Sequence, residues 1–425
     1  MKKHLLNFLL WSVVAAAFIG PGTVTTAAAA GTKYQTSLLW ALSFSVFACI
    51  ILQEAVARLH LVTGLSLGEA LKARYPHRTW LAYTAGGMVV FGCIAYQAGN
   101  ILGAVKGISL ATQISPKVIT ATIVTLCFVL LITSSYKVIA RLLGLVVACM
   151  GVFFFSIALQ SDYTLPEIAL SAFTPTIPEG STTLIIGLIG TTIVPYNLFL
   201  ASDLAKGQSV SEMRASLSFS ILLGGFISAA VLIAGTLLVG EFSFEALGEM
   251  IASKMGKWGF LFFGFGLFAA GFTSSVTAPL ASALTAASLI KDENKKKLVY
   301  RIAWIVVLFL GGTFGMLDIK PIPAIILAQA INGLLLPFVS LFLFFAVNDQ
   351  KLMPKENQNP LVSNIFMLIV IGVTSYLGFN HLVSAAGKMG ITVPDVQAAS
   401  RMITLSVAAL LLVIWAAIGV YKNRI

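Results

Sequence analysis

Long apolar runs separated by short polar punctuation fill this chain from end to end. Twelve runs approach or exceed the roughly 20 residues needed to cross a hydrocarbon core. They lie at about 5–31, 36–60, 80–108, 116–134, 138–160, 181–203, 214–240, 257–290, 297–315, 321–347, 361–383 and 400–421. These runs predict twelve membrane-spanning helices, spans 1 to 12. Two of them are interrupted, span 1 by Gly20-Pro21-Gly22-Thr23 and span 6 by Val194-Pro195-Tyr196-Asn197. Proline inside a helix removes a hydrogen-bond donor and clashes with the preceding turn, and glycine lets the freed backbone turn away. In lipid such backbone is tolerated only where protein buries it or where it lines a watered cavity. Matching breaks in two halves of a membrane chain point to the central binding site of a secondary transporter.

Composition supports that reading. Of 425 residues, 58% are hydrophobic and 10% charged, and the mean hydropathy is +0.95. A soluble globular chain carries about 25% charged residues. The net charge of +11 could suggest nucleic acid, but its placement argues for topology instead. With both termini inside, 18 of the 27 Lys and Arg residues fall on cytoplasmic ends and loops, as the positive-inside rule requires. The first apolar run, after Lys2 and Lys3, is too long for a cleavable signal peptide and contains the break. Cys49, Cys93, Cys127 and Cys149 all lie inside spans with no paired spacing, which predicts small apolar fillers and neither disulfides nor a zinc site.

The two breaks are 174 residues apart, with five spans before the second. That spacing predicts an inverted repeat of five plus five spans. The expected units are residues 1–160 (spans 1–5), a connecting loop at 161–180, residues 181–347 (spans 6–10), and spans 11 and 12 in 348–425. Lys291 to Lys297 form a charge run read as a solvated inner loop beside lipid headgroups.

Particular stretches add a family resemblance. "FIGPGTVTTAAAAGTKYQTSLLWAL", "LQEAVARLHLVTGLSLGEALKARYP", "GTTIVPYNLFLAS", "LFAAGFTSSVTAPLASAL" and "LAQAINGLLLPFVSLFLFFAVND" resemble segments of NRAMP-type divalent metal transporters, from about residue 8 to 350. The resemblance implies a LeuT-like core, alternating access, and in ordinary members proton-linked import of manganous or ferrous ions. The family's first-span Asp-Pro-Gly-Asn motif falls on Gly20-Pro21-Gly22-Thr23, so Gly20 and Thr23 stand where Asp and Asn ligands are expected. In span 6 the family's Met and His fall on Val194 and Tyr196, and its Ala carbonyl on Thr191. In span 3 its Asp-x-x-Glu, associated with proton transfer, aligns with Gln97 and Asn100. Each acid and soft ligand is replaced by a neutral residue.

That replacement changes the expected chemistry. A bare divalent ion in low dielectric needs anionic or strongly dipolar ligands, and manganese and iron favour carboxylate, imidazole or thioether. Free backbone groups and half-helix dipoles at the breaks serve a carboxylate, a zwitterion or a neutral polar solute as well. The candidate substrate-binding residues are Gly20, Pro21, Gly22, Thr23, Thr191, Val194, Tyr196, Gln97, Asn100 and Gln329, the last a position where the family also has Gln. Thr25, Thr192 and Asn332 are ranked lower, because membrane-span threonine often only back-bonds to its own helix and Asn332 reads as an interhelical bond. Glu54 and Arg58, spaced i, i+4 near the inner end of span 2, predict a structural or inner-gate ion pair. His60, His77 and His381 show no HxxxH spacing.

The expectation is an all-α protein of a bacterial inner (plasma) membrane, partnered by a small solute or ion and by the bilayer, with no nucleic acid and no cofactor. The leading function is a secondary transporter with a neutral central site. One alternative is a divalent-ion transporter (Mg²⁺ or Mn²⁺) built on carbonyls, hydroxyls and amides, since magnesium keeps several of its waters. Another is a non-transporting sensor. No nucleophile–base set or phosphate loop suggests an enzyme.

Overall fold

The computed structural model describes residues 20–133, 136–205, 207–317, 319–388 and 398–424, all helix, turn or irregular backbone. The first half of span 1, residues 5–19, and the N-terminus itself lie outside the described residues. The spanning helices are α1 (Pro21–Tyr34), α2 (Leu39–Thr63), α4 (Trp80–Ser109), α5 (Pro116–Thr133), α6 (Tyr136–Ala158), the pair α8 (Thr182–Thr192) and α9 (Pro195–Leu204), α10 (Val210–Gly235), α12 (Lys257–Ser288), α13 (Glu293–Met316), α14 (Pro321–Val347), α15 (Leu361–Lys388) and α16 (Ala398–Arg424). Each predicted span has its helix, and span 6 has two.

Three short helices occupy what read as connectors: α3 (Leu67–Arg74), α7 (Leu165–Phe173) and α11 (Phe244–Met255). The connecting loop predicted at 161–180 therefore contains a helix. Its start follows from local chemistry. Pro166 sits in the first turn, where its missing N–H costs nothing. Glu167 accepts hydrogen bonds from the Thr164 backbone N–H and hydroxyl, both at 2.8 Å. α3 begins with the same reciprocal box between Ser66 and Glu69.

Lipid tails give helices no hydrophobic reason to associate, so close backbone contact through small residues takes over. α4 and α12 run antiparallel and touch through glycine: a Cβ on Gly264 would meet the Gly107 carbonyl oxygen at 2.9 Å. One apolar cluster joins α4, α5, α12 and α13 around Ile101, Ile123, Phe272 and Leu308. A larger one unites α1, α2, α8, α9, α10 and α14. The outside is apolar as well, with Leu145, Val152, Phe226 and Leu411 exposed as a lipid-facing surface should be. Trp80 and Trp258 stand exposed at the starts of the antiparallel α4 and α12, hence at opposite ends of the bundle, where tryptophan belongs at the two membrane interfaces.

Candidate site where the broken helices meet

α8 ends at Thr192 because Pro195 has no N–H to return to the Thr191 carbonyl four residues earlier. Ile193 and Val194 leave helical geometry, and Pro195 opens α9 at its first turn, where its fixed φ suits it. α1 likewise starts at Pro21, with Gly20 extended. The two openings are neighbours. The Thr23 and Thr191 hydroxyl oxygens are hydrogen-bonded at 2.9 Å in a buried setting. Three residues along α1, the Thr26 methyl abuts Gly187 of α8, so the helices run antiparallel.

Other elements close around this contact. Pro21 packs into the space left by the missing side chain of Gly103 on α4. A Cβ on Gly20 would lie 3.3 Å from the Tyr96 hydroxyl and 3.6 Å from Ser274 Oγ. Tyr96 meets Tyr196 of α9 edge to face, with ring centroids 5.4 Å apart. From α14, the Gln329 amide fills the place a Gly22 side chain would need, and its Nε2 lies 3.7 Å from a Cβ on Gly99. Gly20, Pro21, Gly22, Thr23, Thr191, Tyr196 and Gln329 are thus gathered into one buried region, and Val194 lies buried in the break itself.

The two residues of the span 3 pair differ in their surroundings. Gln97 donates through Nε2 to the Ser275 carbonyl of α12 at 3.0 Å. That carbonyl is available because Pro279, four residues later, cannot donate to it. Its stem lies against Gly311 of α13, so Gln97 faces α12 and α13. Asn100 is fully buried, and neither end of its amide bonds a described residue. The same holds for both ends of Gln329. In a protein interior such groups are rare and call for a partner.

Glu54 and Arg58 are bonded at 3.0 Å in α2. Arg58, only 4% exposed, also donates to the Asn357 carbonyl and the Asn359 side chain. Arg214 of α10 reaches Glu54 at 2.8 Å. A buried charge held this way is compensated. Asn359 continues into a buried amide network with Asn364 and Asn348, which ties α2 to the ends of α14 and α15.

Sequence reading passed over Tyr96, Ser274 and Asn197. Tyr96 had a usable signal, standing one turn before Asn100 on the face that also carries Gly99 and Gly103. Cys49 is more than a filler: its Sγ donates to the Thr192 carbonyl at 3.6 Å, at the end of α8. Around the break stand hydroxyls, carboxamides, a phenol and two helix N-termini with their partial positive charge. Among the described residues no group of three or more His, Cys, Asp or Glu could hold a metal.

Comparison with known proteins places this geometry. Residues 12–384 match the profile of the family described as natural resistance-associated macrophage protein-like, Nramp. The chain is 22% identical to metal transporter Nramp4 of Arabidopsis thaliana over 414 residues, covering 89% of this chain and 80% of that protein. It is 27% identical to the divalent metal cation transporter MntH of Xanthomonas campestris pv. campestris, covering 80% and 82%. A manganese transporter of Eremococcus coleocola superimposes with a TM-score of 0.73 at 19% identity, over 99% of this chain and 96% of that one. The nucleobase-cation-symport-1 transporter MHP1 follows with a TM-score of 0.55 at 17% identity, over 98% and 93%. The profile match spans most of the sequence and the fold agrees, so the chain belongs to the Nramp family and is an integral membrane transporter with that family's LeuT-like fold.

Proposed function

We propose that this transporter moves a small polar solute by alternating access and does not handle transition metals in the way its relatives' names describe. The observation that carries this reading is the neutral set at the break: Gly20, Thr23, Thr191, Val194, Tyr196 and Gln329, buried together with no carboxylate, imidazole or thioether among them. Threonine hydroxyls and amides alone are a poor exchange for the hydration shell of Mn²⁺ or Fe²⁺. The inverted repeat of spans 1–5 and 6–10 is part of the proposal, supported by the antiparallel contact of α1 with α8.

A second reading is favoured by the relatives, which are named as metal transporters. A divalent ion could travel partly hydrated, held by the Thr191 carbonyl, hydroxyls and amides. Magnesium suits that arrangement best because it sheds water reluctantly. Isothermal titration of the purified protein with Mn²⁺ and Mg²⁺ separates the readings. The proposal expects no saturable heat from either ion. Micromolar Mn²⁺ binding lost in Thr23→Ala or Thr191→Ala would overturn it, and Mg²⁺ binding alone would establish the second reading.

A further inference from the structure

The orphaned amides at the break have a chemistry of their own. Gln329 and Asn100 are completely buried, and each leaves both a donor and an acceptor without a described partner. Gln329 Nε2 lies beside α4 at Gly99, the residue before Asn100, whereas the amides of Gln97 and Asn332 are turned elsewhere, to the Ser275 carbonyl of α12 and to Gly92. Leaving a buried polar group unsatisfied costs its full desolvation, so the Gln329 and Asn100 amides fit a ligand that completes them.

The balance of donors and acceptors selects among ligands. A metal ion or an ammonium satisfies only acceptors: Oε1 of Gln329 and Oδ1 of Asn100. A carboxylate satisfies only donors: Nδ2 of Asn100 and Nε2 of Gln329. Because both ends of Asn100 and of Gln329 are unpaired, turning either amide over leaves the same need. A group that donates and accepts side by side meets both needs at once. The missing side chain of Gly22 leaves room for the Gln329 amide at the N-terminus of α1, so this amide and the helix dipole act at one place.

We propose that the substrate presents an uncharged carboxamide-type edge, with adjacent N–H and C=O, to Asn100 and Gln329. This rests on the reading of a neutral, non-metal site. Thermal unfolding of the purified full chain, with millimolar propionamide, propionate, propylammonium, propanol or Mn²⁺, tests it. These organic probes share one carbon skeleton and differ in the group they offer. Propionamide is expected to raise the unfolding midpoint by about 1 °C or more, and the others by less. Asn100→Leu and Gln329→Met are each expected to weaken that effect about tenfold in apparent affinity. Either variant suffices if the other does not yield folded protein. Propionate or propylammonium ranking first, or no response to any organic probe, would overturn the carboxamide class while leaving the neutral-site reading standing. Stabilisation by Mn²⁺ that both variants abolish would overturn both.

Discussion

At the scale of single residues, glycine decides which side chains can stand at the break. Gly22 is the clearest case, since a methyl group there would overlap the Gln329 amide. Gly22→Ala is predicted to displace that amide, cost about 1–3 kcal/mol of stability, and remove saturable substrate binding measured on the same preparation. Gly190 is stricter: a Cβ would strike the backbone of α14, 2.5 Å from the Gly333 nitrogen. A backbone cannot swing aside as a glutamine can. Gly190→Ala should therefore cost about 3 kcal/mol or more, read as a collapse of the unfolding midpoint or a failure to purify. Gly87 on α4 faces open space. Gly87→Ala should instead stabilise by about 0.5–1 kcal/mol, which makes it a control for the other two.

At the scale of elements, the spans and the break in α8–α9 were legible because lipid imposes length and apolarity while proline imposes interruption. The Glu54–Arg58 pair was legible from its i, i+4 spacing, but Arg214 and the Asn357–Asn359 segment were not, since they arrive from distant sequence. α7 was misread as loop because Pro166, Glu167, Pro175 and Pro178 look like breakers. Only the Thr164–Glu167 box marked a helix start. Gln97 and Asn100 were rightly placed on one helix, but their spacing could not tell that Pro279 would free the Ser275 carbonyl and draw Gln97 towards α12. The α7 cap gives a pH prediction. Hydrogen bonds from the Thr164 backbone and hydroxyl hold the Glu167 carboxyl below its ordinary value. A depressed carboxyl stabilises the folded form above its unfolded value, and that contribution is lost as pH falls through the folded one. Amide protection across Leu165–Phe173 should thus drop on acidification below the usual carboxylate range. Glu167→Gln, uncharged but still able to complete the box, should flatten that dependence.

At the scale of the whole molecule, two predictions follow from the proposed neutral centre in this family fold. The first is coupling. Gln97 and Asn100 carry no titratable proton, and Glu54 is clasped by Arg58 and Arg214. Uptake into proteoliposomes is predicted to follow the substrate gradient, the membrane potential or another ion. A strict need for an inward proton gradient, lost in Glu54→Gln, would make Glu54 the coupling acid and contradict this. The second is selectivity, which Mn²⁺ uptake measures most directly. Proteoliposomes holding this protein and a metal-quenched dye should take up Mn²⁺ no faster than empty vesicles, beside a manganese-transporting relative as positive control. Saturable Mn²⁺ uptake that disappears in Thr23→Ala or Thr191→Ala would show that the neutral site carries a transition metal after all.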